Sequence, residues 1–67
     1  MAIWHKKEFG IYHWDTFDDG LGLVGEADTL KEAKEKVMDK YGHEMGGADR
    51  VDIVDKNGSV KETYNVG

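Results

Sequence analysis

One amphipathic helix constrains this chain more than any other stretch, because no other stretch has a clear helical pattern. Thr29 followed by Glu32 is a capping box, in which each side chain satisfies a backbone N–H group that the first turn leaves unpaired. Gly42 supplies the stop, so the helix is predicted over residues 28–42. One of its sides is apolar at helical spacing and must be buried; this face comprises Leu30, Ala33, Val37, Met38 and Tyr41.

The length of the chain bounds its core. A chain of 67 residues is predicted to form a single domain over residues 1–67, and folding at this size buries only about 60% of the unfolded surface. There is no cysteine for a disulfide, and no apolar run approaches the roughly 20 residues that span a bilayer. We therefore expect a soluble, cytoplasmic protein. Self-association would add buried area, so a homodimer is an open alternative to a monomer.

The N-terminal part reads as a β-hairpin. Residues 2–6 and 9–17 are rich in aromatic and β-branched residues, and a polar turn separates them. Neither face of the second run is polar, so both faces are predicted to be partly covered, one of them by the helix. A partner or a second copy could cover the other face, but we favour the interpretation that these aromatic residues are simply core. One face carries Phe9, Ile11, His13 and Phe17, and the other carries Tyr12 and Trp14.

A glycine-interrupted apolar segment, residues 21–25, predicts a short third strand. Gly20, Gly22 and Gly25 satisfy the G-x-G-x-x-G spacing of dinucleotide-binding loops. In those loops the helix opens inside the motif, whereas here it starts only at Thr29, and the neighbouring acids would repel a pyrophosphate. We therefore favour a flexible loop or a bulged strand over a phosphate site.

The C-terminal part reads as a loop over residues 43–47 and a hairpin over residues 48–66, centred on Asn57-Gly58. A two-residue type I′ loop would pair Asp55 with Val60, Ile53 with Glu62 and Val51 with Tyr64, and it would collect these apolar residues and Val66 on one face. A three-residue loop would slide the partner strand by one position and mix polar with apolar side chains. We favour the two-residue loop, whose solvent side would comprise Asp52, Val54, Lys56, Ser59, Lys61 and Thr63.

Together these elements predict an α+β fold. The order is a β-hairpin, a short third strand, the helix and a second β-hairpin, with the helix packed on one face of an antiparallel sheet.

No motif for catalysis, cofactor binding or metal binding is present. His5, His13 and His43 are too scattered for a zinc site, and although His5 and His13 can face each other across the first hairpin, we expect histidines that are partly packed and partly wet. Ser59 has no nucleophile motif around it, and the acids lack the spacing of a calcium loop. We therefore expect no enzyme activity, no cofactor and no metal ion.

The acidic residues are concentrated in the first half of the chain. Between Glu8 and Leu30 there are six acids and no Lys or Arg, in a chain of net charge −5. This charge disfavours direct binding to nucleic acid or to an anionic membrane. It would instead speed encounter with a basic protein, for which exposed aromatic residues would be anchors. The predicted partner-binding residues are Asp15, Asp18, Asp19, Glu26, Asp28, Trp4, Tyr12 and Trp14.

The partner itself is predicted from this charge. A basic protein surface most often binds nucleic acid, so an acidic protein that occupies it would compete with DNA or RNA. Two alternatives stay open: the acids serve only solubility, or the chain is a self-assembling structural module that associates through its aromatic face or an open sheet edge.

Two short motifs occur together in the C-terminal part. Thr29-Leu30-Lys31-Glu32-Ala33 fits T-x-x-E-A, and residues 51–60 fit V-x-I-x-D-x-x-G-x-V. From Thr29 onward the chain therefore resembles small uncharacterised ββαββ proteins of bacteria and phages. The resemblance implies the same α+β fold and transfers no catalytic residue. In size and charge the chain also resembles small phage proteins that disable a host factor, which implies an inhibitor and, for a DNA-binding target, a DNA mimic.

Overall fold

The predicted helix forms and covers one face of a four-stranded sheet. The structure is a computed structural model that describes residues 3–15 and 20–67. In chain order the elements are β1 (Phe9–Asp15), β2 (Gly20–Ala27), α1 (Leu30–Tyr41), β3 (Met45–Asp55) and β4 (Val60–Val66). The strand order is β2-β1-β3-β4, and every neighbouring pair is antiparallel. The predicted α+β class is confirmed.

Helix α1 begins at the predicted cap. The Thr29 hydroxyl accepts a hydrogen bond from the Glu32 N–H group at 3.1 Å, and the Gly42 N–H group donates to the Met38 carbonyl at 2.8 Å where the helix ends. With 12 residues α1 is too short to cross a membrane, and no other helix occurs in the described residues.

The predicted buried face of the helix is correct except at one position. Ala33, Val37 and Tyr41 are buried and Leu30 is partly buried, but Met38 is 52% exposed. Met38 lies one turn after Lys34, whose ammonium is 3.1 Å from the carboxylate of Glu62 on the edge strand β4. It therefore projects beyond β1, β2 and β3, which are the strands that the helix covers.

The main core lies between α1 and the sheet. Its centre is formed by side chains that point toward the helix from β1 and β3, and Phe9, Leu30 and Tyr64 pack around them. Every one of these residues comes from an apolar position of the periodic pattern. The buried members are Ile11, Ala27, Ala33, Val37, Tyr41, Val51, Ile53 and Val66.

The N-terminal hairpin differs from the prediction. The first strand pairs with the glycine-rich segment, which forms the full strand β2, whereas residues 3–8 form no strand. Between the pairings of Gly25 and Leu23 with β1, Val24 is an extra residue. The interpretation of this segment as a bulged strand is therefore confirmed, and the G-x-G-x-x-G spacing lies within a strand.

The turn of the C-terminal hairpin also differs from the predicted type I′ loop. The Asp55 N–H group donates to the Ser59 carbonyl at 2.9 Å, so the loop contains three residues, with Gly58 at φ 83°. The Asp55 carboxylate accepts hydrogen bonds from the Ser59 and Asn57 N–H groups at 2.9 and 2.8 Å, and these bonds hold the pKa of Asp55 below its ordinary value. This side-chain acceptor stabilises the observed turn over the two-residue alternative.

A bulge in β4 restores the predicted register beyond that turn. Val60 lies opposite Val54 rather than Asp55, and Lys61 is an extra residue before the next pair. Val60 is 50% exposed, so its predicted place in the core was wrong. The pairs Ile53–Glu62 and Val51–Tyr64 are confirmed, as is the burial of Val66.

Strand β3 begins earlier than predicted. The expected loop over residues 43–47 ends at Glu44, and Met45 already pairs with Val66. Asp49 also pairs with Val66, so residues 46–48 interrupt the regular pairing of β3 with β4. Gly46 and Gly47 permit this irregularity.

The sheet face that points away from the helix was predicted to be solvent-exposed, and in its centre it is not. Asp52 and Val54 of β3 are buried there, beside the fully buried Tyr12 of β1. Lys56, Ser59, Lys61 and Thr63 are exposed, as expected. The cover is residues 3–8, which we call the N-terminal strap.

The core assignments predict a contrast in stability. Replacing Ile53 by Val should lower the free energy of unfolding by about 1 kcal/mol, because it removes a fully buried methylene group. Met38→Ala should change it by less than about 0.5 kcal/mol, because that side chain is half exposed. Urea denaturation monitored by tryptophan fluorescence measures both values, and an equal loss in the two variants would contradict this core.

Candidate interaction surface

Two side-chain acceptors hold the N-terminal strap on the sheet. The Tyr12 hydroxyl accepts hydrogen bonds from the Trp4 and His5 N–H groups at 2.8 and 3.2 Å. A carboxylate oxygen of Glu26 on β2 accepts from the next two N–H groups, those of Lys6 and Lys7, at 2.5 and 3.2 Å. Four consecutive backbone donors are thus satisfied without a strand partner, which is why the aromatic and β-branched residues of this segment do not form a strand.

The Tyr12 hydroxyl also bonds to the side chain of His5. Since the oxygen accepts two N–H groups, its own hydrogen is left to donate to His5 Nδ1, which lies 2.7 Å away. The other ring nitrogen, Nε2, is buried without a hydrogen-bond partner among the described residues.

A glycine makes room for the strap. The His5 ring lies directly over Gly10 of β1, and a Cβ atom at Gly10 would overlap that ring. The same ring lies edge-on to Tyr12, with 5.6 Å between the centroids. Any side chain at Gly10 would therefore lift His5 off the sheet.

Two tryptophans flank the buried Tyr12 ring on this face. The Trp4 ring centroid is 5.7 Å from that of Tyr12, and Trp4 is 54% exposed. Trp14 follows Tyr12 on the same face of β1 and is half-buried, with the Arg50 guanidinium carbon 5.6 Å from its ring centroid. Leu21 of β2 lies opposite Trp14 on the other side. We call Trp4, Trp14, Leu21 and Arg50 the tryptophan surface.

Of the three predicted aromatic anchors, two are accessible. Tyr12 was expected to be exposed and is fully buried, because the strap covers it. Its hydroxyl instead fixes the backbone of Trp4, so Tyr12 is a positioning residue for an anchor. Arg50 was not among the predicted site residues; the signal that places it here is its position opposite Trp14 in the sheet, which requires knowing that β1 and β3 are neighbours.

The predicted acidic residues do not form one patch. Asp15 lies at the turn end of the β1–β2 hairpin, whereas Glu26 and Asp28 lie at its open end, roughly 20 Å away at about 3.4 Å per residue. Asp18 and Asp19 lie outside the described residues. The negative charge that is continuous in sequence is therefore divided between the two ends of a hairpin.

The acids at the open end already have partners. The Lys6 and Lys7 N–H groups hold the pKa of Glu26 below its ordinary value of 4.5. The Lys36 ammonium donates to the backbone carbonyl of Glu26 at 2.7 Å, and the Lys7 ammonium lies 3.9 Å from the Asp28 carboxylate. Glu26 thus serves the fold by anchoring the strap, and Asp28 lies close to a lysine.

His13 lies on the opposite face of the sheet from His5, so the two do not face each other as the sequence allowed. Its Nδ1 is 3.0 Å from the Tyr41 hydroxyl, and its Nε2 is 3.1 Å from an Asp49 carboxylate oxygen. Burial raises the pKa of Tyr41, and Glu44 and Asp49 raise it further, so this phenol is not an activated nucleophile. The chain of bonds ties the end of α1 to β1 and β3. Within residues 3–15 and 20–67, no three His, Asp or Glu residues are grouped so that they could hold a metal ion.

The hydrogen bonds of Tyr12 predict a specific loss of stability. Tyr12→Phe should lower the free energy of unfolding by about 1–3 kcal/mol, because it leaves the Trp4 and His5 N–H groups without their acceptor. Tyr64→Phe is the matched control, since that hydroxyl takes no part in the hydrogen bonds of the described residues. It should change stability by less than about 0.5 kcal/mol in the same urea titration. Equal effects would show that the Tyr12 hydroxyl does not hold the strap.

The Glu26 anchor predicts a dependence on pH. A carboxyl whose pKa is lower in the folded state stabilises the fold above its unfolded pKa, and this contribution disappears as the pH falls through the lower, folded value. The stabilisation of the wild type should therefore begin to fall below about pH 4.5, the ordinary pKa of this group, and the strap contacts of Glu26 should be lost as the pH falls further, through the lower, folded value. Glu26→Gln should lack this component, and Glu35→Gln on the outer side of the helix should keep it. Amide hydrogen exchange at Lys6 and Lys7 between pH 3 and pH 6, a range of about three units around the ordinary value, provides the measurement.

Comparison with known proteins adds no family to this description. No protein family, no curated protein and no solved structure matches the chain. The resemblance to small ββαββ proteins therefore stays a prediction, and the function has to be argued from the surface itself.

Proposed function

We propose that the protein is a non-enzymatic interaction module that binds a basic protein through the tryptophan surface. Trp4 and Trp14 would be the anchors. The acidic residues Asp15, Asp18 and Asp19, which are close together in the sequence, would attract the basic surface. Where that surface binds nucleic acid, the protein would act as an inhibitor that competes with DNA or RNA.

The observation that carries the proposal is the exposure of Trp4 on a fixed backbone. The side chain is 54% exposed, although its N–H group is bonded to the fully buried Tyr12 hydroxyl. Burying the exposed part of such a ring in an interface would contribute on the order of 3 kcal/mol of favourable binding free energy. A tryptophan held in place before binding loses little further freedom when it binds, which is how anchor residues contribute most to affinity.

The alternative, self-assembly through a sheet edge, has less support. Both edge strands carry a bulge, at Val24 in β2 and at Lys61 in β4. Bulges twist an edge and interrupt its row of backbone donors and acceptors, so they oppose pairing with another strand. Association of two copies through their tryptophan surfaces stays as the competing form, and it would need no basic partner.

A capture experiment separates these functions. The immobilised chain is incubated with a host extract treated with nuclease, in parallel with Trp4→Ala and with Met38→Ala, whose side chain is equally exposed but lies on the helix. A specific partner should bind at least about tenfold more weakly to Trp4→Ala and unchanged to Met38→Ala. Loss of capture in both variants, or in neither, would contradict an anchor at Trp4.

The acidic component has its own test on the partner so identified. Its affinity should fall steeply between about 0.05 and about 0.5 M salt, and joint replacement of Asp15, Asp18 and Asp19 by Asn should remove most of that dependence. The urea midpoint of the triple variant serves as the control for folding. An affinity that is the same at both salt concentrations would contradict the proposal of a basic partner. Sedimentation over a dilution series then decides whether the chain associates with itself instead.

A further inference from the structure

We infer that Arg50 forms a carboxylate-binding subsite within the tryptophan surface, and that the partner places there an aromatic residue with a carboxylate beside it. The inference rests on the proposed function, because it names one group that the partner would present. Its basis is the orientation of the Arg50 side chain, which is fixed from two directions and remains 48% exposed.

A buried carboxylate fixes the Arg50 side chain from one side. Asp52 is 2% exposed, and one of its oxygens accepts a hydrogen bond from the Thr63 hydroxyl at 3.0 Å. Its other oxygen lies 3.2 Å from Arg50 Nε. Because a buried carboxylate with both oxygens engaged cannot turn without losing a bond, it holds the guanidinium group at its Nε edge.

The ring of Trp14 fixes the Arg50 side chain from the other side. The guanidinium carbon lies 5.6 Å from the ring centroid, within the range of a cation–π contact. The side chain of Arg50 is thus held at its edge by Asp52 and on its face by Trp14. Ordering the side chain in advance removes part of the entropy cost that an arginine pays when it binds a ligand.

The end of the guanidinium group is the part left for a ligand. The contact with Asp52 uses Nε, and the two terminal NH₂ groups form a fork whose spacing matches the two oxygens of a carboxylate. Lysine has no such fork and would bind an anion only as a point charge. The subsite therefore favours a planar, two-oxygen acceptor.

The neighbours of Arg50 specify what should accompany the carboxylate. Leu21, Trp14, Arg50 and Asn65 lie side by side across the four strands, over a row of about 14 Å. The row is apolar at one end and polar at the other. A single aromatic residue next to a carboxylate, such as one at a chain terminus, would cover the Trp14 side of the row and reach the Arg50 fork.

The acidity of the chain and this cationic subsite have different roles. The net charge of −5 disfavours anions in general, so a carboxylate should bind at Arg50 only when the ring beside it adds contact with the tryptophan. Asp15, Asp18 and Asp19 would bring the chain to a basic partner, and Arg50 would select the place on that partner where an acidic group projects. Such a combination provides specificity beyond attraction of charge.

The test uses a matched pair of small probes on the full chain. N-acetyl-phenylalanine carries the ring and the carboxylate, and N-acetyl-phenylalaninamide carries the same ring without the charge. In an NMR titration, the carboxylate probe should shift the Arg50 Nε–H and Trp14 indole signals and bind at least about tenfold more tightly than the amide. Arg50→Lys and Arg50→Gln should lose that difference, whereas Lys61→Gln should keep it.

Removing Arg50 also leaves Asp52 as a buried, unpaired charge, which could unfold the domain. The double variant Arg50→Gln with Asp52→Asn avoids this charge and keeps an acceptor for Thr63. If both probes bind equally to the wild type, or if the folded double variant still distinguishes them, the subsite is overturned. A protein partner that depends on Trp4 but not on Arg50 would overturn this inference alone and leave the proposed function standing.

Discussion

The cover of the sheet face that points away from the helix depends on the hydroxyl group of Tyr12. It accepts two backbone N–H groups of the strap and donates to His5, so all of its hydrogen-bonding capacity is used inside the protein. Together with the Glu26 carboxylate, it holds the strap on the sheet face opposite the helix. The strap in turn covers the Tyr12 ring, which is fully buried.

Covering the second face matters in a chain of this length. The fully buried side chains under the helix are small or medium-sized apart from Tyr41, and a domain of 67 residues buries a limited part of its surface. Tyr12, Val54 and Asp52 are buried on this second face. The ion pair of Asp52 with Arg50 follows from that burial, since a buried charge needs a partner. The burial of Asp52 thus determines the orientation of Arg50.

The sequence predicts correctly those elements that a local pattern determines. The prediction is wrong where one segment of the chain covers another, because no local pattern contains that contact. The cap at Thr29, the helix and the central pairs of the C-terminal hairpin follow from spacing alone, and they are present. Residues 2–6 are predicted as a strand from their composition, but the N–H groups of Trp4 and Lys6 bond to the side chains of Tyr12 and Glu26 instead of a neighbouring strand. The same cover makes Asp52 and Val54 buried on a face that alternation assigns to solvent.

The second group of errors comes from single residues at turns and edges. Asp55 accepts N–H groups of its own turn and selects a three-residue loop, and the bulge at Lys61 then compensates for it. Only Val60 changes its environment as a result. Met38 is exposed because the helix covers three strands rather than four, a property of strand order that no local pattern contains.

The fold also changes where a function should be sought. In the sequence, six acids without a neighbouring base are the most prominent feature, and the aromatic residues are secondary. In the structure, the length of the β1–β2 hairpin separates Asp15 from Glu26 and Asp28. The N–H groups of the strap bond to the Glu26 carboxylate, and a lysine lies near Asp28. The aromatic residues are brought together instead, and the sheet adds Arg50 to them from a strand more than 30 residues away in the chain. Attraction over a distance depends on net charge, which the sequence states directly, but recognition at contact depends on which side chains are held rigidly side by side. In this protein the side chains held in place are Trp4, Trp14 and Arg50. In the function that we propose, the acids would therefore determine how fast a partner arrives, and the tryptophan surface would determine which partner stays bound.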